Sequence, residues 1–443
     1  MKFKKISALF ITLSLVVASV FLPTSAQAYT ISGFDIKSRN AVFASLDNGS
    51  VMYSKDADKK AYPASLTKVM TAIVSMENCD DLDAKITVPE DAISSLIGTG
   101  TTMGGLEEGE QISVRDLLKM LLVCSAADAA NTLAKHFGGG NIQKFVDMMN
   151  AKAKSLKMDN THFMNPHGLH DDNHYSTAND LLKMALYAYD IPGFMDICEE
   201  YVSTIPATNK TEQRTIVTTN YMINPNTDCY YKYARGIKTG FTTPAGRCLI
   251  STASKDGYNY ICVLLGAEDT DNLADRNEFN DATNLFKWAF ENFEHRQIVD
   301  SKKIVCEIPL RFAWDSDFLQ LYPENNVYAV VPKNISDESL TYDTIFGSDR
   351  VNAPIKAGEV VGYARIICAG EEVGTVNLVA KDDVGINYLM FFKQVVDSLI
   401  SSLAFKILLG GLLIAIVMLI VSNIAYKNKK HTRARRVNKI RKF

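Results

Sequence analysis

Residues 407–426 of this 443-residue chain run through Ile-Leu-Leu-Gly-Gly-Leu-Leu-Ile-Ala-Ile-Val-Met-Leu-Ile-Val-Ser-Asn-Ile-Ala-Tyr without a single charge, close to the ~20 residues a helix needs to cross a hydrocarbon core. Lys427, Lys429, Lys430, Arg433, Arg435, Arg436, Lys439, Arg441 and Lys442 follow at once, and a cluster of this kind stays on the cytoplasmic side. At the other end, the basic start Met1-Lys2-Phe3-Lys4-Lys5, the apolar residues 6–22 and the small residues Ala26-Gln27-Ala28 read as a signal peptide with Tyr29 as the first mature residue. An uncleaved anchor is the alternative, because the apolar run is long for a signal. The chain is thus expected to be a single-pass protein of the cell membrane with its body outside the cytoplasm. Removing both ends leaves 34 basic against 50 acidic side chains, a formal charge of −16. Such a body is a poor partner for nucleic acid, and the membrane span accounts for the basic tail without one.

Eight cysteines, Cys79, Cys124, Cys198, Cys229, Cys248, Cys262, Cys306 and Cys368, all fall in the exported part and none forms a CxxC pair. Their scatter over a body large enough to bury its own core argues against a disulfide scaffold or a zinc ribbon. Connectivity is not readable, and several are expected to be buried free thiols.

A composition shift near residues 294–303 divides the body. Before it, residues 41–46, Asp47-Asn48-Gly49-Ser50 and residues 51–53 give a hairpin signal, with Asn-Gly supplying the positive-φ turn. Helical periodicity recurs at 114–137, 142–156, 178–189 and 277–293, and residues 248–253 and 258–265 look like neighbouring buried strands. The expected class is α+β with an antiparallel sheet. After the shift, short β-rich runs at 305–309, 327–331, 359–368 and 371–379 suggest a small sandwich or barrel. Tyr388, Phe392, Val395, Val396, Leu399 and Leu403 then form one stripe at helical spacing, a lead-in lying on the outer leaflet or, alternatively, packing on the β domain. The expected layout is a signal peptide at 1–28, a catalytic domain at 29–296, a β domain at 300–385, an amphipathic segment at 386–405, a membrane helix at 406–426 and a cytoplasmic tail at 427–443.

Chemistry enters at Tyr62-Pro63-Ala64-Ser65-Leu66-Thr67-Lys68, which runs into an apolar helix. Residues at i and i+3 share a helix face, so the Lys68 amine can reach the Ser65 hydroxyl. Alone, the pattern equally describes a helix-capping serine and an ordinary lysine. A serine becomes a nucleophile only with an adjacent base, and Lys68 serves only if neutral. Burial beside a second cation achieves that, and Gly236-Ile237-Lys238-Thr239-Gly240-Phe241 offers Lys238 at the end of a strand-like segment. Between the two, Ser125 interrupts an apolar run.

Ser65-x-x-Lys68, then Ser125, then Lys238-Thr239-Gly240, in this order, resembles the signature shared by penicillin-binding proteins and class A β-lactamases. Further stretches resemble the low-molecular-mass penicillin-binding proteins that are D-alanyl-D-alanine carboxypeptidases: Leu106-Glu107-Glu108-Gly109-Glu110, Asn165-Pro166-His167-Gly168-Leu169, His174-Tyr175-Ser176-Thr177-Ala178, Phe241-Thr242-Thr243-Pro244-Ala245-Gly246 and, in the β domain, Ala353-Pro354-Ile355-Lys356-Ala357-Gly358. The resemblance covers nearly the whole exported chain. It implies a penicillin-binding-protein/β-lactamase-like serine transpeptidase fold followed by a small all-β domain and a C-terminal transmembrane helix. It also implies peptidoglycan stem peptides as substrate, acylation by β-lactam antibiotics, and neither cofactor nor metal.

By the same resemblance, Ser65 is the nucleophile, Lys68 its base and Ser125 a proton relay. Lys238 supplies positive charge, Thr239 hydrogen-bonds the substrate carboxylate, Gly240 lets the substrate approach, and the N–H groups of Ser65 and Phe241 form the oxyanion hole. Arg276 is the nearest candidate for the arginine that assists carboxylate binding. One departure stands out: the usual Ser-x-Asn motif reads Ser125-Ala126-Ala127, and Asn131, a turn further on, is the candidate to compensate. His167, His170 and His174 with Asp171 and Asp172 could be drawn as a metal cluster, but the glycine and proline punctuation marks a structured loop. Cys124 reads as a small core residue. The rival functions are a catalytically weak protein that binds peptidoglycan stems, and a β-lactamase or endopeptidase.

Overall fold

The computed structural model describes residues 35–440 apart from 48, 271, 273, 274, 337, 338, 369 and 370, with side chains to residue 429 except that of 371. The expected signal peptide and most of the basic tail's side chains therefore lie outside the described residues. The chain separates into two units, residues 35–296 with 330–335, and residues 297–329 with 336–440.

The first unit is built on an antiparallel sheet of β1 (Asn40–Ser45), β2 (Val51–Lys55), β3 (Ala234–Thr242), β4 (Gly246–Lys255) and β5 (Tyr258–Ala267), in the order β2-β1-β5-β4-β3. Alternation along the strands serves two cores rather than one. Val42, Ala44, Ile250, Ile261, Val263 and Leu265 join one cluster of buried side chains. Ala41, Phe43, Leu249, Tyr260, Cys262 and Leu264 join another. Because successive side chains point to opposite faces, both faces must be covered, and burying each large side chain contributes about 1.5–3 kcal/mol.

The helices of the first face are α1 (Thr67–Glu77), α2 (Val114–Leu122), α3 (Ala127–Phe137), α4 (Ile142–Ser155) and α5 (Ala178–Tyr189); the second face is covered by α6 (Asn277–Asn292) through Phe279, Leu285, Phe286 and Trp288. In α1 every residue from Thr67 to Ser75 is buried, the polar Thr67, Lys68, Thr71 and Ser75 among them. The periodicity over 114–137 suggested a continuous helix, and the structure breaks it. Ser125 takes φ +65°, the Val123 N–H donates to Lys119 O and the Ala126 N–H reaches back to Met120 O at 2.9 Å. Apolar residues on both sides of the break hide it from a hydrophobicity pattern.

The second unit holds a six-stranded sheet in the order Leu340–Phe346, Val360–Cys368, Glu371–Ala380, Phe318–Pro323, Cys306–Arg311, Val351–Asn352. Three of these strands escaped the sequence reading, among them the two-residue Val351–Asn352. Phe318–Pro323 ends in Tyr-Pro, and Leu340–Phe346 is an edge strand with no buried residue, so neither carries a long apolar run.

Two helices follow, α7 (Tyr388–Ser401) and α8 (Leu403–Ile440). Asn387 caps α7 by accepting from Leu389 N and Met390 N, both at 3.1 Å. Ser402, in extended conformation, separates the helices, and its hydroxyl accepts from Phe405 N at 3.2 Å. The apolar helix thus begins at Leu403, set by this cap rather than by the charge of Lys406. Residues Leu403–Lys429 form a helix long and apolar enough to cross a membrane.

Candidate active site

Ser65 lies in a one-turn 3-10 helix, Ala64–Leu66, that runs directly into α1 and puts Lys68 on the next turn. The Lys68 Nζ donates to Ser65 Oγ at 2.9 Å and to His167 O at 2.6 Å. Lys68 is fully buried. Burial, joined by the positive charge of Lys238, holds its amine well below the ordinary lysine range, against the opposing pull of Asp128 and Cys124. Lys238 is buried as well, and burial pushes it down to about 8. Its Nζ donates to Thr239 O at 3.0 Å. The two amines share a lowered proton affinity, Lys238 at about 8 and Lys68 well below the ordinary lysine range.

The Ala64–Ser65 peptide is clamped from two sides. Ala64 sits at φ +49°, a conformation that costs a non-glycine residue about 1–2 kcal/mol, so something must hold it. His174 Nδ1 accepts from Met164 N at 3.1 Å, which leaves the proton on Nε2, 2.8 Å from Thr67 Oγ1. Thr67 Oγ1 in turn donates to Ala64 O at 2.8 Å. From the other side comes the Asn165-Pro166-His167-Gly168 loop: Pro166 O accepts from Thr71 Oγ1 at 2.6 Å and Asn165 Oδ1 from Gly168 N at 2.7 Å. Gly168, at φ +87°, passes so close that a Cβ there would lie 2.0 Å from Ala64 O.

On the opposite flank, β3 is an edge strand whose Lys238, Gly240 and Thr242 pair with Ile250, Cys248 and Gly246 of β4. Lys238 therefore stands in mid-strand, not at a strand end as its sequence context suggested. Gly240 allows the edge to approach the serine turn, since a Cβ would meet Ser65 N at 3.0 Å and Pro63 O at 3.1 Å. Phe241 is 39% exposed and lies beneath the Arg247 guanidinium at 4.2 Å from the ring centroid.

The turn carrying Ser125 closes a third side. Asp128, fully buried, accepts from Gly104 N at 2.8 Å and Leu106 N at 3.1 Å, and the Ala127 N–H donates to Thr102 O at 2.8 Å. These bonds sew the loop of residues 102–106 onto the start of α3. Ala127 is itself fully buried.

Two expectations need correction or sharpening. Asn131 does not replace the missing asparagine, because its Nδ2 donates to Ala92 O at 3.2 Å and Ser95 Oγ at 3.3 Å, on the short helix Glu90–Ser94 and the residue after it. Arg276, before the first turn of α6, is held by the buried Glu278, with Nε 2.7 Å from Oε1, and stacks on Phe279 and Tyr221 at 4.9 and 5.6 Å. The histidines are structural: His167 Nδ1 accepts from Leu169 N at 3.2 Å, His174 holds Thr67, and His170 packs edge-on against Tyr62. Burial pushes His167 down to about 3 and His174 to about 4. Cys198, Cys248 and Cys262 are buried free thiols.

Sequence reasoning missed Thr219, whose Oγ1 lies 2.6 Å from Thr239 Oγ1. It belongs to no motif and its neighbours carry no periodicity, so nothing in the sequence could have flagged it.

An antiparallel sheet with a serine–lysine turn at its edge strand defines the class of penicillin-recognising serine enzymes. Within it, the chain belongs to the D-alanyl-D-alanine carboxypeptidase family: residues 24–269 match that family, and residues 293–385 match the penicillin-binding protein 5 C-terminal domain. It is 30% identical over 370 residues to the D-alanyl-D-alanine carboxypeptidase DacF of Bacillus subtilis (strain 168), covering 81% of this chain and 89% of that protein. A D-alanyl-D-alanine endopeptidase of Escherichia coli (strain K12) is 32% identical over 286 residues, 62% of this chain and 86% of that one. Among solved structures, penicillin-binding protein 5 from Haemophilus influenzae superposes with a TM-score of 0.64 at 25% identity, covering 80% of this chain and all of that one.

Proposed function

We infer that the chain is a serine-type carboxypeptidase that removes the terminal D-alanine from peptidoglycan pentapeptide stems and is acylated by penicillin. The observation that carries this reading is the 2.9 Å contact between Ser65 Oγ and a buried amine that burial and the charge of Lys238 hold well below the ordinary lysine range. Ser65 Oγ attacks the carbonyl carbon between the two D-alanines as its proton passes to Lys68 Nζ. Charge developing on the carbonyl oxygen meets the N–H groups of Ser65 and Phe241. Ser125 relays that proton, giving its own to the leaving amine and taking the one held on Lys68; free D-alanine departs, and water then hydrolyses the Ser65 ester, one of its protons restoring the Ser65 hydroxyl. Lys238 and Thr239 bind the substrate's terminal carboxylate, while Gly240 gives the peptide room beside β3.

In this reading the enzyme is held to the membrane by α8, with the catalytic unit outside the cytoplasm and the basic tail inside. The stripe of α7 supports a lead-in on the outer leaflet. Tyr388, Leu389, Phe392 and Leu403 are all more than two-thirds exposed, whereas Lys393, Gln394 and Asp397 line a cavity of about 460 Å³ with Arg311 and Asp317 of the β unit. Met390 shares that lining and Phe391 packs edge-on against Phe312 at 5.4 Å between ring centroids, so the helix meets the β unit through both polar and apolar side chains while Tyr388, Leu389 and Phe392 face outward.

One observation favours a second reading, a weakly active protein that chiefly binds stems. Ala127 offers no amide to the substrate, and Asn131 is occupied elsewhere. The two readings part on one experiment: the full-length protein in detergent, a peptide ending in D-Ala-D-Ala, and free D-alanine measured for the native chain and Ser65→Ala. Release that Ser65→Ala abolishes supports the enzyme, and no release by the native chain overturns it.

The pH profile gives a separate expectation. A Lys238 poised at about 8 is charged below that pH and loses its proton above it, so kcat/KM for a carboxylate-bearing substrate falls as pH rises through about 8. Lys238→Arg, always charged, moves that alkaline limb upward even if the absolute rate is lower.

A further inference from the structure

Thr219 stands where three parts of the site meet. Its N–H donates to Val123 O at 3.1 Å, in the turn that carries Ser125. Its hydroxyl oxygen lies 2.6 Å from that of Thr239 on β3. Two residues on, the Tyr221 ring lies 5.6 Å from the Arg276 guanidinium. The segment is fixed on its outer side, where Thr218 N donates to Tyr201 O at 2.9 Å and Thr218 Oγ1 accepts from Asn220 N at 3.1 Å. We propose that Thr219 is a positioning residue for substrate binding, whose hydroxyl aims the Thr239 O–H at the terminal carboxylate of the substrate.

This rests on the reading of Thr239 as a carboxylate ligand. A hydroxyl has one proton to give and lone pairs to receive. An ionised carboxylate only accepts, so Thr239 must spend its proton on the substrate, and its bond to Thr219 then has one direction: Thr219 donates, Thr239 accepts. The result is a polarised chain from Thr219 through Thr239 to the carboxylate, in which each donor strengthens the next. Thr219 is β-branched, and its backbone is pinned to the Ser125 turn, so its own hydroxyl has few rotamers to choose among. Without it, the Thr239 hydroxyl turns freely and its bond to the substrate must be ordered at each binding event.

The test uses full-length protein with a peptide ending in D-Ala-D-Ala. Thr219→Val keeps the shape and the N–H to Val123 while deleting the hydroxyl. KM is expected to rise about tenfold with kcat changed less than about twofold, and Thr219→Ser, which restores the hydroxyl, is expected to bring KM back to within about threefold of native. Thr239→Val, measured in parallel, is expected to raise KM more, and the double variant no further than Thr239→Val alone, since both changes break one chain. If Thr239→Val raises KM and Thr219→Val does not, Thr219 is only a tether and the proposal fails alone. If neither raises KM, the carboxylate reading of Thr239 fails with it. Additive effects in the double variant overturn the chain as well, by making the two hydroxyls independent.

Discussion

Replacing Lys68 by methionine is expected to lower the rate of Ser65 acylation, by peptide and by penicillin alike, about 10³-fold, roughly 4 kcal/mol of barrier. Methionine fills much the same volume, so the effect isolates chemistry from packing. Lys68 is fully buried and donates to Ser65 Oγ and His167 O, and burial beside Lys238 lowers its proton affinity well below that of an ordinary lysine. Lys68→Arg is expected to be no better, because a guanidinium cannot give up its charge at neutral pH and so cannot accept the serine proton. Stopped-flow acylation with a fluorescent penicillin measures both. Retention of more than a tenth of the native rate by either variant removes Lys68 from the role of base.

The second large effect is expected at Gly168, where no catalytic atom is involved. Gly168→Ala places a methyl 2.0 Å from Ala64 O, 2.4 Å from Ala64 C and 2.9 Å from Ser65 N. These are backbone atoms held by the His174–Thr67 chain, not the yielding end of a side chain. The turn bearing the nucleophile must move or the fold must absorb about 3 kcal/mol or more, and a shift of 1 Å at a nucleophile can cost ~100-fold in rate. Gly257→Ala is the control: it has the same sign of φ, at +85°, with nothing within 4 Å of the added Cβ, so it carries backbone strain alone. Thermal unfolding and penicillin acylation of the two variants separate strain from collision. Equal losses in both would show that the contact with Ala64 is immaterial.

The two effects illustrate what could be read before folding and what could not. Ser65 and Lys68 are three residues apart, and their meeting is dictated by helix geometry, so a local pattern sufficed. Lys238 was legible as a charge near the base, yet its place in mid-strand was not, because Gly240 looks like a strand terminator until β4 is seen pairing on through Thr242. The break after Leu122 was obscured because Leu121, Leu122, Val123, Ala126 and Ala127 are apolar on either side of Ser125; what ends the helix is a set of bonds from Thr102 and Thr219, distant in sequence. Asn131 illustrates the reverse error. Helical spacing brought it within a turn of Ala127, but its amide faces Ala92 and Ser95, a direction that spacing alone does not fix. The hydroxyl of Thr219 and the His174–Thr67–Ala64 chain depend on contacts across 20 and 107 residues, beyond the reach of any periodicity.

The central claim is that Ser65, and no other side chain, carries the acyl group. Brief incubation of the full-length protein with a penicillin, followed by proteolysis and mass mapping, tests it directly. The expected result is one adduct, on the peptide containing Ser65, absent from Ser65→Ala and formed far more slowly in Lys68→Met. An adduct on Ser125 or Cys124, or an unmodified Ser65 in a protein that still releases D-alanine, would contradict it.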